Sequence, residues 1–341
     1  MTIPVSLPPE TRPIGMKKRM ERLAGRAAMR VFLGPLRALP LPAARTLGKC
    51  LGWVLYQSLG RYRRVALKNL GLVYADISAQ DRVRMARAVF RHFGEAAAEF
   101  IKLPQLTLEQ VDAMVTVEGA EYLNEALEAN RGAFILTGHF GNWEFLARWL
   151  TLHGYKLNVV ARDARDPAAT KVMTEVRQGS GATVLYRGNS ARAVLQSLKR
   201  NEFVAILADQ NAADVFVPFL GVSATGTVDG PAILHLKTQA PMVFSWCWRT
   251  PDDRFHIKFE PPVVVEPTGD RGADIRAVMT LINARLEAQI RLNPTQWLWL
   301  HDRWKATPGV FSGEEWSAHE LKTPANTMKQ EVADINDSAR R

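Results

Sequence analysis

The sequence lacks the features that define several large classes of protein. It holds only two cysteines among 341 residues, Cys50 and Cys247, and neither has the CxxC or Cys/His spacing of a metal site. No disulfide framework and no structural zinc site are predicted, and a reducing compartment fits best. The longest run without a charged residue, 215–228, has 14 residues, which is too short for a spanning helix. The first residues also lack the compact apolar core of a signal peptide.

Several catalytic signatures are absent as well. The chain contains no G-x-S-x-G elbow, no P-loop, no G-x-G-x-x-G and no H-E-x-x-H. A covalent serine mechanism, nucleotide binding and zinc-dependent hydrolysis therefore lose support. We expect neither a metal ion nor a prosthetic group.

Positive charge is concentrated at one end of the chain. Residues 1–70 carry 14 Lys and Arg and only two acids, while the whole chain has a net charge of +10. The pattern at 16–38 indicates a basic amphipathic helix, and the apolar segment 47–59, followed by a basic cluster at 61–64, indicates a hydrophobic hairpin with a cationic rim. We assign 1–65 as a basic amphipathic segment that associates with an anionic membrane surface, in a peripheral or monotopic manner. An ordinary surface helix packed on the core has a similar pattern.

The rest of the chain alternates between two periodicities. Helical patterns lie at 81–102, 143–153, 167–178, 190–200, 229–239 and 271–292. Short apolar, strand-like runs lie at 132–140, 157–162, 183–187, 202–209, 241–249 and 254–265. This alternation predicts one α/β domain at 66–312, with a mixed, largely buried central sheet and flanking helices. The polar residues 313–341 are predicted to be a flexible tail.

The most specific signal is the string GHFGNWE at 138–144. The apolar run before it predicts a buried strand, two glycines bracket His139 in a turn, and Asn142 is placed to cap the following helix. His139 then lies at the carboxyl end of a strand, where open α/β sheets bind ligands. A carboxylate from Glu144 could fold back against the imidazole and fix its tautomer. We predict a His139/Glu144 dyad that acts as a general base.

The spacing alone is weak evidence, because chance readily places an acid five residues after a histidine. Among seven histidines only His139 has this spacing, and it lies at a glycine-bracketed strand-to-helix junction. A purely structural His139 is the alternative that this context disfavours. A base without a nucleophile of its own points to activation of a hydroxyl on the substrate.

Three motifs in order, GHFGNWE, LADQ with VFVPFLG, and QWLWLHDRWK, resemble the lauroyl/myristoyl acyltransferases of lipid A biosynthesis, within the lysophospholipid acyltransferase-like superfamily. The resemblance covers about residues 15–310. It implies a glycerolipid acyltransferase-like fold and transfer of a fatty acyl chain from acyl carrier protein, or less often coenzyme A, to a hydroxyl of a membrane glycolipid. It places this reaction at the cytoplasmic face of the inner membrane. It also implies that His139 is the base and that Glu144 orients it. We predict that the acceptor hydroxyl attacks the thioester carbonyl directly, without an acyl-enzyme.

The resemblance and the predicted strand ends suggest further candidates for substrate binding. These are Asn142, Arg162, Arg187, Asp209, Gln210, His301, Arg303 and Lys305. A cation at a strand end, as at Arg162 and Arg187, suits a phosphate or a developing oxyanion, although a solvated arginine is the alternative. The last three candidates could bind the acceptor head group, but a Trp-rich segment is more often part of the core than of a binding site.

We expect a membrane glycolipid acceptor, most simply a lipid A precursor, together with acyl carrier protein and an anionic lipid surface as partners. The basic N-terminal segment would attract the acidic carrier protein through charge. One rival is the same chemistry on a phosphoglycolipid, an aminolipid or a lysophospholipid. Another is a non-catalytic basic protein that binds lipid or nucleic acid, which the lack of any nucleic-acid motif disfavours.

Overall fold

A computed structural model describes residue 34 and residues 36–161, 166–186 and 190–310. Most of the basic helix predicted at 16–38 and the whole tail predicted at 313–341 lie outside the described residues. The helices are α1 Leu41–Ser58, α2 Gly60–Val73, α3 Ala79–Lys102, α4 Leu108–Asp112, α5 Glu121–Glu128, α6 Trp143–Leu152, α7 Pro167–Gly179, α8 Ser190–Lys199, α9 Gly230–Thr238 and α10 Arg271–Leu292. The strands are β1 Val115–Glu118, β2 Ala133–Thr137, β3 Leu157–Ala161, β4 Thr183–Tyr186, β5 Phe203–Leu207, β6 Asn211–Phe219, β7 Val222–Thr227, β8 Met242–Arg249 and β9 Phe255–Phe259.

The centre of the fold is a sheet of seven strands within the described ranges, in the order β1-β9-β8-β2-β5-β3-β4. Neighbouring strands run parallel, except β8 and β9, which run antiparallel. The predicted α/β class with a mixed central sheet is confirmed. Because β2 lies between β5 and β8, the turn that follows it opens at the middle of the sheet.

Apolar side chains cover both faces of this sheet. On β2, Phe134 and Leu136 belong to one apolar cluster, which includes residues of α10, whereas Ala133 and Ile135 belong to another, which includes residues of α6. A strand covered on both sides has no solvent-facing positions to fill with polar residues. This is why the central strands are continuous apolar runs in the sequence.

The structure differs from the predicted elements at several places. β9 ends at Phe259, not at 265, because Pro261 and Pro262 cannot donate to a strand ladder. The uncharged run 215–228 lies almost entirely in the antiparallel pair β6 and β7, outside the central sheet. The short elements β1, α4 and α5 were not predicted, since four to eight residues carry little periodicity.

The segment predicted as a hydrophobic hairpin is helix α1, which packs along α3. A Cβ at Gly52 would lie 2.2 Å from the carbonyl oxygen of Phe90, and one at Gly94 would lie 2.2 Å from that of Gly48. The two backbones therefore approach too closely for any residue with a side chain at these glycines. The basic cluster at 61–64 belongs to a separate helix, α2. None of the helices in the described ranges combines the length and apolar character needed to cross a bilayer.

Candidate active site

The turn at 138–142 joins β2 to α6 and carries the predicted base. Asn142 caps α6 as predicted, because its Oδ1 accepts a hydrogen bond from the backbone N–H of Phe145 at 2.9 Å. Gly141 has a φ of +58°, and a Cβ there would lie 1.7 Å from the carbonyl oxygen of Cys247 on β8. The turn can pass this close to β8 only with glycine at that position.

The imidazole of His139 is bonded to Asp209, which follows β5. Its Nδ1 lies 2.8 Å from Oδ1 of Asp209, while the backbone N–H of His139 donates to Oδ2 at 2.7 Å. The indole N–H of Trp297 also donates to Oδ2, at 2.9 Å. Burial alone would raise the pKa of Asp209, but His139 and the three hydrogen bonds outweigh burial and hold the pKa well below its usual range. Asp209 is therefore an ionised carboxylate that holds the ring.

This bonding decides which nitrogen of His139 can act as a base. An ionised carboxylate only accepts hydrogen bonds, so Nδ1 carries the ring proton and Nε2 keeps a lone pair. Among the described residues, the bond to the Asp209 side chain is the only one found for the ring of His139. The ring also lines a cavity of about 530 Å³ at the carboxyl ends of the strands. Its walls are mainly apolar, with Arg177, Gln210, Asp214 and Asp229 as polar groups.

The predicted contact between Glu144 and His139 is corrected by the structure. The carboxylate of Glu144 accepts hydrogen bonds from Nε of Arg177 on α7, at 3.1 and 3.2 Å, and from the indole N–H of Trp143 at 3.0 Å. Asp209 occupies the place beside the imidazole that was predicted for Glu144. Although burial alone would lower the pKa of Arg177, the Glu144 carboxylate raises it, so the guanidinium is charged. Both residues line a small apolar cavity between α6 and the sheet.

The other predicted binding residues have different environments. Gln210 lines the large cavity. The Nε2 atom of His301 accepts a hydrogen bond from the backbone N–H of Asn211 at 3.2 Å, and burial lowers the pKa of His301. The side chain of Asn142 is buried in its capping role and is closed to substrate. Arg162 and Arg187 lie outside the described residues.

Arg303 is completely buried, which contradicts its predicted contact with an acceptor head group. Its guanidinium lies over the ring of Phe219 and donates hydrogen bonds to the carbonyl of Gly226 and the hydroxyl of Thr227. Burial lowers the pKa of Arg303 to about 10. The residue therefore holds the β6 and β7 pair, whereas the neighbouring Lys305 is exposed.

Two residues of the site were missed in the sequence. Trp297 was not singled out in the Trp-rich segment; it is buried, and its indole N–H bonds Asp209. Arg177 had no signal, because nothing in the sequence indicated that α7 packs beside the start of α6. No group of three or more His, Cys, Asp or Glu side chains suited to a metal ion occurs in the described part of the chain.

Comparison with known proteins assigns the chain to a family. The family model described as "Bacterial lipid A biosynthesis acyltransferase" matches residues 16–306. The chain belongs to this family. The predicted resemblance and the predicted enzyme class, an acyltransferase, are thereby confirmed.

The relatives of this acyltransferase act in more than one lipid pathway, according to their names. The lipid A biosynthesis palmitoleoyltransferase of Escherichia coli (strain K12) is 28% identical over 274 residues, which is 79% of this chain and 87% of that protein. The lipid A biosynthesis lauroyltransferase of the same strain is 26% identical over 274 residues, 79% of this chain and 88% of that protein. The phosphatidylinositol mannoside acyltransferase of Mycolicibacterium smegmatis (strain ATCC 700084 / mc(2)155) is 25% identical over 250 residues, 72% and 79% of the two chains.

Proposed function

We propose that this acyltransferase moves a fatty acyl chain from an acyl thioester, carried by acyl carrier protein or coenzyme A, to a hydroxyl of a lipid A precursor. The observation that carries the proposal is the bond between His139 Nδ1 and the ionised Asp209, 2.8 Å long, at the wall of a large cavity. It leaves Nε2 as a base beside a space of about 530 Å³. The matched family supports the acceptor class.

The reaction is a direct transfer. Nε2 of His139 takes the proton of the acceptor hydroxyl while the oxygen attacks the thioester carbonyl. Collapse of the tetrahedral intermediate forms the ester, breaks the C–S bond and releases a thiolate, which takes the proton back from Nε2. The described lining of the cavity contains no serine, threonine or cysteine. An acyl-enzyme on a hydroxyl or thiol side chain therefore has no candidate among the described lining residues, which supports direct attack.

We assign the predicted dyad partner, Glu144, a role through Arg177. The Glu144 carboxylate holds the guanidinium at the boundary of the large cavity and the smaller apolar one. A fixed guanidinium stabilises negative charge on a phosphate of the substrate or on the developing oxyanion. Asp209 orients His139, and Glu144 orients Arg177.

The decisive measurement is mass spectrometry of the lipid product. The enzyme is incubated with acyl carrier protein thioesters or coenzyme A thioesters and an under-acylated lipid A precursor. A product heavier by one acyl group is expected, and His139→Ala should abolish it. His256→Ala is the matched control, because that histidine lies on β9, two strands away from β2, and stacks on Trp248. Transfer retained by His139→Ala would contradict the mechanism.

A second acceptor class has one specific observation in its favour. The mannoside acyltransferase relative matches 72% of this chain, nearly as much as the lipid A enzymes do. A phosphoglycolipid acceptor is therefore the alternative to test in parallel. Lipid analysis after deletion of the gene separates the two, because the lipid that loses one acyl chain is the acceptor.

We further propose that α1 and α2 contact the cytoplasmic face of the inner membrane. Four large apolar side chains are exposed around the junction of these helices, beside the basic residues at 61–64: Trp53, Val54, Leu59 and Tyr62. Aromatic groups among cations suit the interface of an anionic leaflet. The same cations would attract acyl carrier protein.

Vesicle sedimentation tests the membrane proposal. Trp53→Ser should reduce binding to vesicles that contain anionic lipid, and rising salt should weaken the binding of the unaltered enzyme. Leu292→Ser is the matched control, because this exposed leucine ends α10, remote in sequence from α1 and α2. Binding that is indifferent to both Trp53→Ser and salt would refute this surface.

A further inference from the structure

A buried carboxylate on α3 lies directly behind the catalytic turn and takes no part in the chemistry above. Glu99 is 2% exposed and accepts hydrogen bonds from three different elements. Arg45 Nε on α1 donates at 2.6 Å, Arg249 Nη2 on β8 at 2.6 Å, and Asn142 Nδ2 at 2.7 Å. A carboxylate with this many charged donors has a fixed orientation.

The third donor connects Glu99 to the active site. The amide of Asn142 uses its nitrogen for Glu99 and its oxygen to cap α6 at Phe145. A primary amide is nearly symmetric in shape, so its two ends are distinguished only by their hydrogen-bond partners. Without an acceptor at Glu99, the amide can turn over and present its NH₂ group to the N–H of Phe145, which breaks the cap.

The remaining contacts of the turn show that the cap is one part of a wider frame. Gly141 donates its N–H to the carbonyl of Gln296 at 2.7 Å and accepts from Nε2 of His92 at 3.0 Å. His92 and Glu99 lie seven residues apart on α3, which is about two helical turns, so they share one face. That face of α3 therefore contacts Gly141 and Asn142, two of the three residues between His139 and α6.

Charge balance explains why a carboxylate can be kept at this buried position. Arg45 and Arg249 both donate to Glu99, while Lys49 and Arg249 lie 3.3 and 3.4 Å from the second buried carboxylate, Glu95. A buried charge persists only where opposite charges and hydrogen bonds compensate its loss of hydration. The cations come from α1 and β8, so Glu99 is held from both sides in the position that Asn142 requires.

We propose that Glu99 is a positioning residue for the transferase reaction, which acts by fixing the amide of Asn142 and through it the geometry of His139 and the first turn of α6. The proposal rests on the proposed function, because turnover is its readout. A purely structural Glu99 would contribute stability only, and its replacement would leave kcat of the folded enzyme unchanged.

The test replaces the acceptor, Glu99, and the donor, Asn142, first singly and then together. Glu99→Ala removes the acceptor of the Asn142 amide, whereas Glu99→Gln can keep its oxygen at the Oε2 position that Asn142 and Arg249 share. Glu99→Ala and Asn142→Asp should each lower kcat by about tenfold or more, with KM changed less than about threefold, since misplacing a catalytic turn affects the transition state. The double variant E99Q/N142D restores the pair with reversed roles, because the new glutamine amide donates to the new aspartate, which still caps Phe145. We expect its kcat to recover to within about threefold of the unaltered enzyme.

Asn142→Ser gives a second test of the proposal. Unlike Asn142→Asp, it does not place a second buried carboxylate beside Glu99. A hydroxyl can cap α6 without help from Glu99, so adding Glu99→Ala in the N142S background should not lower kcat further. Glu260→Gln is the stability control, because Glu260 is also buried and bonded, to Trp246, but lies outside this network. Its kcat should be unchanged even where its melting temperature falls.

The outcomes separate the two proposals. If the unaltered enzyme transfers no acyl group to any lipid offered, the proposed function fails. If it is active and Glu99→Ala keeps full kcat, or Glu99→Ala lowers kcat equally in both backgrounds, the positioning role fails while the function stands. If the single variants do not fold, comparison of N142S with and without E99A still decides.

Discussion

Replacing Asp209 by asparagine should remove the base without removing the imidazole. All three groups that meet the Asp209 carboxylate are donors: the His139 backbone N–H, its Nδ1–H and the Trp297 indole N–H. An asparagine has one oxygen and one NH₂ group, so it cannot accept at both ends. Fewest hydrogen bonds are lost if the asparagine oxygen takes the position of Oδ2, where it accepts from the His139 backbone N–H and the Trp297 indole N–H. The NH₂ group then faces Nδ1 of His139.

That arrangement reverses the tautomer of the ring. Nδ1 must become the acceptor, so the proton moves to Nε2, which can no longer take a proton from the acceptor hydroxyl. A tautomer reversal of this kind costs about 10⁴-fold in kcat where an imidazole depends on a carboxylate. We expect Asp209→Asn to lower kcat by about 10³- to 10⁴-fold, with a smaller change in KM, because His139 would still fill its place in the cavity wall.

Two measurements check this expectation. Steady-state kinetics with a fixed acyl thioester give kcat, and nitrogen-15 NMR of the histidine ring gives the tautomer of His139. Glu144→Gln is the informative comparison, because Glu144 is bonded to Arg177 and the tautomer should stay as it is. The reasoning is refuted if Asp209→Asn keeps a tenth of the kcat, or if Glu144→Gln is the variant whose ring proton moves.

Three further predictions concern the surroundings of the site. Trp297→Phe removes one hydrogen-bond donor from Asp209 and should therefore raise the depressed pKa of this carboxylate. The ionised carboxylate stabilises the fold above its unfolded pKa of about 3.9, and this stabilisation is lost as the pH falls below that value. The midpoint of acid unfolding, measured by circular dichroism, should therefore move to higher pH in the variant. Burial lowers the pKa of His92 to about 4, so between about pH 6.5 and 4 the unfolded chain binds a proton that the folded chain does not. The free energy of unfolding should therefore fall as the pH is lowered through this range. Denaturant titrations at several pH values should show a smaller pH dependence for His92→Gln. Gly141→Ala should destabilise by more than about 3 kcal/mol or prevent folding, measured by the melting temperature, because its Cβ would overlap the carbonyl of Cys247.

The parts of the fold that the sequence predicted are those with a strong local pattern. The strands β2 and β5 are apolar at nearly every position because both faces are covered, and α3 has a clear amphipathic period. The cap at Asn142 was predicted because capping depends on residues within one helical turn. The order of the strands, in contrast, depends on contacts between residues far apart in the chain. No local pattern states that β5 lies beside β2.

The same distinction explains why the place of His139 at the end of β2 was predicted and its carboxylate partner was not. His139 has a local signature, whereas Asp209 reaches it only because β2 and β5 are parallel neighbours whose carboxyl ends coincide at Thr137 and Leu207. Glu144 is near His139 in sequence, but the turn places it on α6, where its side chain meets α7. Proximity along the chain suggested Glu144 as the partner of His139, but the neighbouring strand β5 brings Asp209 to that place instead. Within the described part of the cavity wall, Asp209 thus holds the imidazole of His139, and Glu144 holds the guanidinium of Arg177. A site built this way should lose its base with one carboxylate and its charge stabilisation with the other, so the two substitutions should differ in kind rather than only in size.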